Sequence, residues 1–213
     1  MLKVWGRATS LNVQAVLWTA AELGLAVERI DAGFGFGVTD TPEYRAMNPN
    51  GLVPVLRDEN VTMFESAAIA RYLCARYARF PFWPEDPVAR APVDMWAEWG
   101  KTTLQPSFLR PVFFPVLIGE GGPGTPAWEK ARAEFERNLD ILEGQLGEGP
   151  WITGADFTLA DVEVGLPLYR YYTLEGLPRA ERPRLQGYYD RLNERPGYAH
   201  VAVSYDVLRS YRP

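Results

Sequence analysis

Few residue types in this chain can carry chemistry. It holds one cysteine, Cys74, and one histidine, His200. A single cysteine excludes an intramolecular disulfide and a Cys-x-x-Cys redox pair. One histidine leaves a His-Cys zinc cluster or a serine-histidine triad hard to assemble. Chemistry then falls to hydroxyls, amides, arginines and carboxylates. Two places gather them: Arg7, Thr9, Ser10 and Asn12 lie at the head of one apolar helical pattern, and Glu65 and Ser66 at the head of another. The plain reading makes Ser10 and Ser66 helix N-caps and Glu65 a solvated charge. Capping does not exclude chemistry, because the cap side chain and the first helix amides point into the same space.

Elements with alternating periods must position these groups. Leu2 to Trp5 is a short apolar run that predicts a strand. Val13, Val16, Leu17, Ala20 and Leu23 follow helical spacing from Asn12, and Gly24 is a stop signal. Ala26 to Ile30 reads as a second strand, and Asp31 to Thr41, with three glycines, as a flexible loop. Thr41-Pro42-Glu43 opens a short helix reaching Met47, and Asn48 to Gly51 is turn chemistry. Leu52 to Leu56 reads as a strand interrupted by Pro54, which places that proline at the strand's start or on an edge. Asp58 to Asn60 turns the chain into a strand from Val61 to Phe64, and a helix follows from Ser66 to Tyr77, burying Cys74. The order β-α-β-α-β-β-α predicts a mixed sheet.

Pro81, Pro84 and Pro87 then mark a stiff linker over residues 80–87. Beyond it the pattern is helical: 88 to about 104, a stretch that Pro106, Pro111 and Pro115 kink or break, then helices from Thr125, Thr158 and Pro183. The expected domains are therefore residues 1–79 and an all-helical 88–213. Thr158 and Asp161 have capping-box spacing. Trp96, Trp99, Phe108, Phe113 and Phe114 suit either the wall of an apolar pocket or packing, with Arg110 as a possible pocket residue.

Composition is that of a globular protein, with 47% apolar and 23% charged residues among 213. A net charge of −5 argues against a nucleic-acid partner. No apolar run approaches the roughly 20 residues that span a bilayer. The start of the chain lacks a signal peptide's pattern, so no membrane partner and a cytoplasmic address are expected.

Four segments, in order, resemble the glutathione S-transferase family. Asn48 to Leu56 is similar to its segment with a cis valine–proline bond, and Glu65 to Leu73 to the helix start that follows. Gly154 to Asp161 resembles the cap of its helical domain, and Glu194 to Gly197 a late helix end. The matches run from about residue 2 to 198. Trp5 to Val13 looks closest to bacterial members with serine or asparagine near the first helix.

The resemblance implies a thioredoxin-like first domain, an α+β fold, followed by an all-α helical bundle. It implies glutathione as co-substrate, no metal, a small electrophilic substrate, a homodimer and a detoxifying transferase. Val53, beside a cis Pro54, would offer its backbone to the cysteinyl unit like an added strand. Glu65 would pair with the γ-glutamyl ammonium, and Ser66 with its carboxylate, helped by the helix dipole. Ser10 aligns with the family's catalytic serine, Asn12 is a second candidate donor to the thiolate, Thr9 is adjacent and Arg7 adds positive potential. Two departures stand out. Leu52 occupies the position expected to hold Lys or Gln for the glycyl carboxylate, which leaves that end to another group, such as the Gly33–Gly37 backbone. No tyrosine precedes Tyr44, so the first-helix tyrosine of other classes is missing. The same scaffold also admits a glutathione-dependent isomerase or dehalogenase, or a non-catalytic interaction protein.

Overall fold

The computed structural model describes residues 1–147 and 149–210, the last by its backbone alone. The end of the expected helical span, 211–213, lies outside the described residues. Contacts divide the chain into two units, residues 1–79 with 196–203, and residues 80–195 with 204 onward.

The first unit is built on a four-stranded sheet in the order β2-β1-β3-β4. Strand β1 (Leu2–Trp5) runs parallel to β2 (Val27–Ile30) and antiparallel to β3 (Val55–Asp58), which pairs antiparallel with β4 (Val61–Phe64). The mixed pairing follows from the connections: a helical crossover returns β2 parallel, and the tight turn at Glu59 and Asn60 returns β4 antiparallel. Helices α1 (Leu11–Glu22) and α3 (Ser66–Tyr77) cover one face. Leu2 and Val4, alternate residues of β1, meet Val13, Val16, Leu17, Ala20, Ile69 and Leu73 there. Helix α2 (Pro42–Met47) covers the other face, where Tyr44 packs with Ala32 and Val55. Cys74 is buried.

The second unit is helical. Helix α4 (Pro87–Trp99) does not stop at the prolines that follow it. The stretches Gly100–Leu104 and Leu109–Phe113 widen into π-helical turns, with α5 (Gln105–Phe108) and α6 (Phe114–Ile118) between and after them. A proline ring collides with the carbonyl four residues back, and the wider turn relieves that collision without ending the helix. Helix α7 (Pro126–Gln145) follows, with Thr125 Oγ1 accepting from the Trp128 N–H. The helix expected from Thr158 is two, α8 (Leu159–Gly165) and α9 (Leu168–Thr173), separated at Pro167. Helix α10 (Pro183–Asn193) comes last. Phe108, Phe113, Phe135 and Tyr171 form an aromatic core, with Phe108 stacked on Phe135 at 4.5 Å.

Candidate functional site

The strand register creates the site. Trp5, the last residue of β1, lies opposite Ile30 of β2 and Val55 of β3, and Val55 lies opposite Phe64 of β4. These four residues form one row across the end of the sheet. The segments leaving Trp5, Ile30 and Phe64, and the one entering Val55, therefore emerge at that same end. They carry Gly6 to Ser10, Asp31 to Thr41, Glu65 and Ser66, and Leu52 to Pro54. Every site residue read from the sequence lies on them except Asn12, which is exposed on the first turn of α1.

The turn from β1 into α1 is closely packed. Gly6 donates to the Ile30 carbonyl at 2.8 Å and Arg7 to that of Ala32 at 3.1 Å, so the pairing with β2 outlasts the strand. A Cβ on Gly6 would stand 2.3 Å from Val13 Cγ2 and 3.2 Å from Val53 Cβ. Only glycine lets the helix start approach Val53 this closely. Gln14, buried in α1, donates from Nε2 to the Ala8 carbonyl at 2.8 Å and pins the loop. Nothing in local sequence spacing marks Gln14 for this task. Ser10 is the N-cap residue of α1 and 8% exposed, and its hydroxyl makes no bond to the amides of the helix it begins.

Val53 and Pro54 are joined by a cis peptide bond. Strand β3 begins only at Val55, and among the described residues the backbone N–H and C=O of Val53 have no hydrogen-bond partner. The carbonyl before it is held twice, by Tyr44 OH and by Asn48 Nδ2, each at 2.8 Å. Burial pushes the Tyr44 phenol up to about 12, so it remains a donor at neutral pH. Tyr44 and Asn48 thus fix the peptide that aims Val53, a role the sequence reading did not assign to them.

Glu65 precedes α3 with φ 71° and ψ 109°, a left-handed backbone for a side chain that does not cap its helix. Strained non-glycine residues of this kind cost about 1–3 kcal/mol and cluster at ligand sites. The conformation leaves the carboxylate exposed while Ser66, 2% exposed, opens the helix beneath it. Helix N-termini favour anions, and Ser66 is the first residue of α3.

At the opposite side of the row stands Leu52, 65% exposed. The Gly33–Gly37 loop, whose amides were the candidate substitute for it, uses three of them internally: Gly33 donates to the Gly37 carbonyl, Phe36 to that of Gly33 and Gly37 to that of Phe34. In the second unit Phe108 and Phe113 are core residues and cannot wall an open pocket, whereas Trp96, Trp99 and Phe114 are partly exposed and Arg110 is exposed. Among the described residues no group of His, Cys, Asp or Glu is arranged to hold a metal, and no helix is long and apolar enough to cross a membrane.

Comparison with known proteins decides the family. Residues 1–75 match the glutathione S-transferase N-terminal domain, and residues 125–191 the C-terminal domain. The chain is 34% identical over 205 residues to glutathione S-transferase GstB of Escherichia coli, a match covering 95% of this chain and 98% of that one. This chain belongs to the glutathione S-transferase family. Rat glutathione S-transferase theta-1 is 34% identical over 177 residues, covering 79% of this chain and 72% of the rat enzyme. Among solved structures, the theta class glutathione S-transferase of Xanthomonas axonopodis pv. citri, with glutathione bound, superposes with a TM-score of 0.84 at 34% identity, covering 96% of this chain and 98% of that one. The two-part fold of this glutathione S-transferase, a thioredoxin-like unit and a helical one, is the family's.

Proposed function

We propose that this glutathione S-transferase binds glutathione across the row of strand ends and activates its thiol at the N-terminus of α1. The γ-glutamyl ammonium pairs with Glu65, and its carboxylate accepts from Ser66 and the first amides of α3. The cysteinyl unit adds to the unpaired backbone of Val53 like a short strand. Its sulfur then faces the turn that holds Thr9 and Ser10, with Arg7 and Asn12 bordering it.

A free thiol has a pKa of about 8.5 and is only a few per cent ionised at neutral pH. The Ser10 hydroxyl donates to the thiolate, and the helix dipole adds to the effect. Each unit of lowered pKa needs about 1.4 kcal/mol of preference for the anion. The thiolate attacks an electrophilic carbon of a small substrate, a C–S bond forms, and the leaving group departs with the bonding electron pair. No other cofactor enters these steps.

One observation carries the reading: Ser10 is buried at a helix start, yet its hydroxyl is not spent on that helix. Asn12 remains a second donor from the first turn. The test is ultraviolet titration of the bound thiol in Ser10→Ala and Asn12→Ala. Loss of the principal donor raises the thiol pKa by about 1–2 units, in line with a hydrogen bond to a charged group. A bound thiol pKa unmoved in both variants overturns the assignment. The homodimer and the cytoplasmic address belong to the same proposal, and sedimentation velocity tests the first.

A further inference from the structure

The turn that carries Ser10 is anchored at both ends. Gly6 and Arg7 donate to the Ile30 and Ala32 carbonyls, and α1 begins at Leu11. Residues 8–10 lie between these anchors. The Ser10 N–H closes the turn on the Arg7 carbonyl at 3.2 Å. Two further bonds to this segment come from one residue, Gln14. Its backbone N–H donates to the Ser10 carbonyl at 2.9 Å, and its side-chain Nε2 to the Ala8 carbonyl at 2.8 Å. Gln14 therefore brackets Thr9 and Ser10, holding the carbonyl before them and the carbonyl that ends them.

The backbone bond is one that any helix makes. The side-chain bond is not. Gln14 is 1% exposed and lies in a run of buried apolar residues that includes Leu11, Val13, Ala15, Val16 and Leu17. Burying an amide there is unfavourable unless its polar atoms are bonded. Only one of them is. Nε2 has the Ala8 carbonyl, while Oε1, also buried, has no partner among the described residues. Leucine or methionine would fill the same space without that penalty. The packing of α1 thus gives no reason for an amide at this position. What the amide adds is a donor that reaches back from the helix to the turn before it. Such fixing matters for a donor to an anion, which is effective only within about 2.7–3.1 Å of the charge it stabilises.

We propose that Gln14 is a positioning residue for thiol activation: by holding the Ala8 carbonyl, its side-chain amide sets the turn from which the Ser10 hydroxyl reaches the sulfur. Gln14 acts through Ser10 and not on the sulfur itself. The inference rests on the glutathione reading above.

The test is ultraviolet titration of the glutathione thiol bound to the full chain. Gln14→Met keeps the length of the side chain and removes the donor, and Gln14→Asn keeps the amide but draws it back by one methylene. Each is expected to raise the bound thiol pKa by about 0.5–1 unit, part of the rise produced by Ser10→Ala. In a Ser10→Ala background neither should raise it further, because the donor they position is gone. Thr19→Val is the control for packing: Thr19 is also fully buried in α1, and its hydroxyl oxygen has no partner among the described residues. It should leave the thiol pKa unmoved. The proposal is overturned by a folded Gln14 variant that leaves the pKa unmoved where Ser10→Ala raises it. An equal rise with and without Ser10 overturns it as well, and so does an equal rise in Thr19→Val, which would mark a general loosening of α1. If neither Gln14 variant folds, the residue is structural and the proposal falls. A Ser10→Ala variant with an unmoved pKa overturns the donor assignment beneath the proposal together with it, a result distinct from the others.

Discussion

At Glu65 the backbone shows the opposition between stability and binding at a single residue. A left-handed φ of 71° strains any side chain, and the Glu65 carboxylate makes no capping bond to α3. Glu65→Gly removes the strain and should stabilise the protein by about 1 kcal/mol in urea denaturation, while glutathione affinity falls with loss of the ammonium partner. Ser66→Ala should likewise weaken glutathione, roughly tenfold by calorimetry, because a hydrogen bond to a charged group contributes about 1.5–3 kcal/mol. Both residues were legible in the sequence, since a serine after a glutamate at a helix start is a local pattern. The left-handed backbone was not, because it is imposed where β4 ends and α3 begins. Gln14, Tyr44 and Asn48 escaped notice for a related reason. Their partners are carbonyls of loops, and a carbonyl has no sequence signature. The cation–π contact of Arg7 with Phe34 joins loops that leave different strands, and only the strand register brings them together.

At the scale of elements, the capping box at the head of α8 follows from the spacing of Thr158 and Asp161, and the structure adds what that box also holds. Asp161 is fully buried and accepts from the Thr158 and Ile152 N–H groups, both at 2.8 Å, and from Tyr188 OH at 3.0 Å. One carboxylate thus ties α8 to the 151–154 turn and to α10. Asp161→Ala strands these donors and should cost about 3 kcal/mol in urea denaturation. Burial pushes the Asp161 carboxyl up to about 6, against the hydrogen bonds, which pull it down. The folded pKa is above the ordinary 3.8, so the folded state binds the extra proton between those values. This contribution is full below pH 3.8 and is lost as pH rises through 6, roughly 3 kcal/mol in all. Unfolding free energies from urea denaturation across that window should fall by this amount in the wild type, and Asp161→Asn should lack the slope. In the stretch after α4 three prolines were expected to kink or break the helix, and widened turns absorb them; no propensity argument distinguishes a proline that ends a helix from one that is accommodated.

At the scale of the whole molecule, the chain leaves the first unit at Arg79 and returns to it at Pro196. Nothing in the spacing of Glu194 to Gly197 announces that return, because it is a contact between residues some 180 positions apart. The returning turn, Pro196–His200, packs on α1. Tyr198 meets Trp18 edge-to-face with ring centres 4.8 Å apart, and Trp18 Nε1 donates to Glu22 Oε1 at 2.8 Å. Gly197 lies flat on this pair: a Cβ there would stand 2.8 Å from both Trp18 Cδ1 and Glu22 Oε1. The Glu22 carboxylate can swing away, but Trp18, fully buried, cannot move without disturbing the core of α1. Gly197→Ala should therefore lift the turn from α1 and cost about 1–3 kcal/mol, the usual penalty of overpacking. Tyr198→Ala should cost about 3–5 kcal/mol, as large aromatic deletions do. Both losses fall at Trp18, on the helix whose N-terminus carries Ser10. A chain ending at Arg79 lacks the turn altogether and exposes Trp18. Its amides in α1 should exchange with solvent faster than those of the full chain, and joining residues 194–203 to its end through a flexible linker should restore their protection. Equal protection in the two chains would show that α1 holds the turn that carries Ser10 without help from the returning segment.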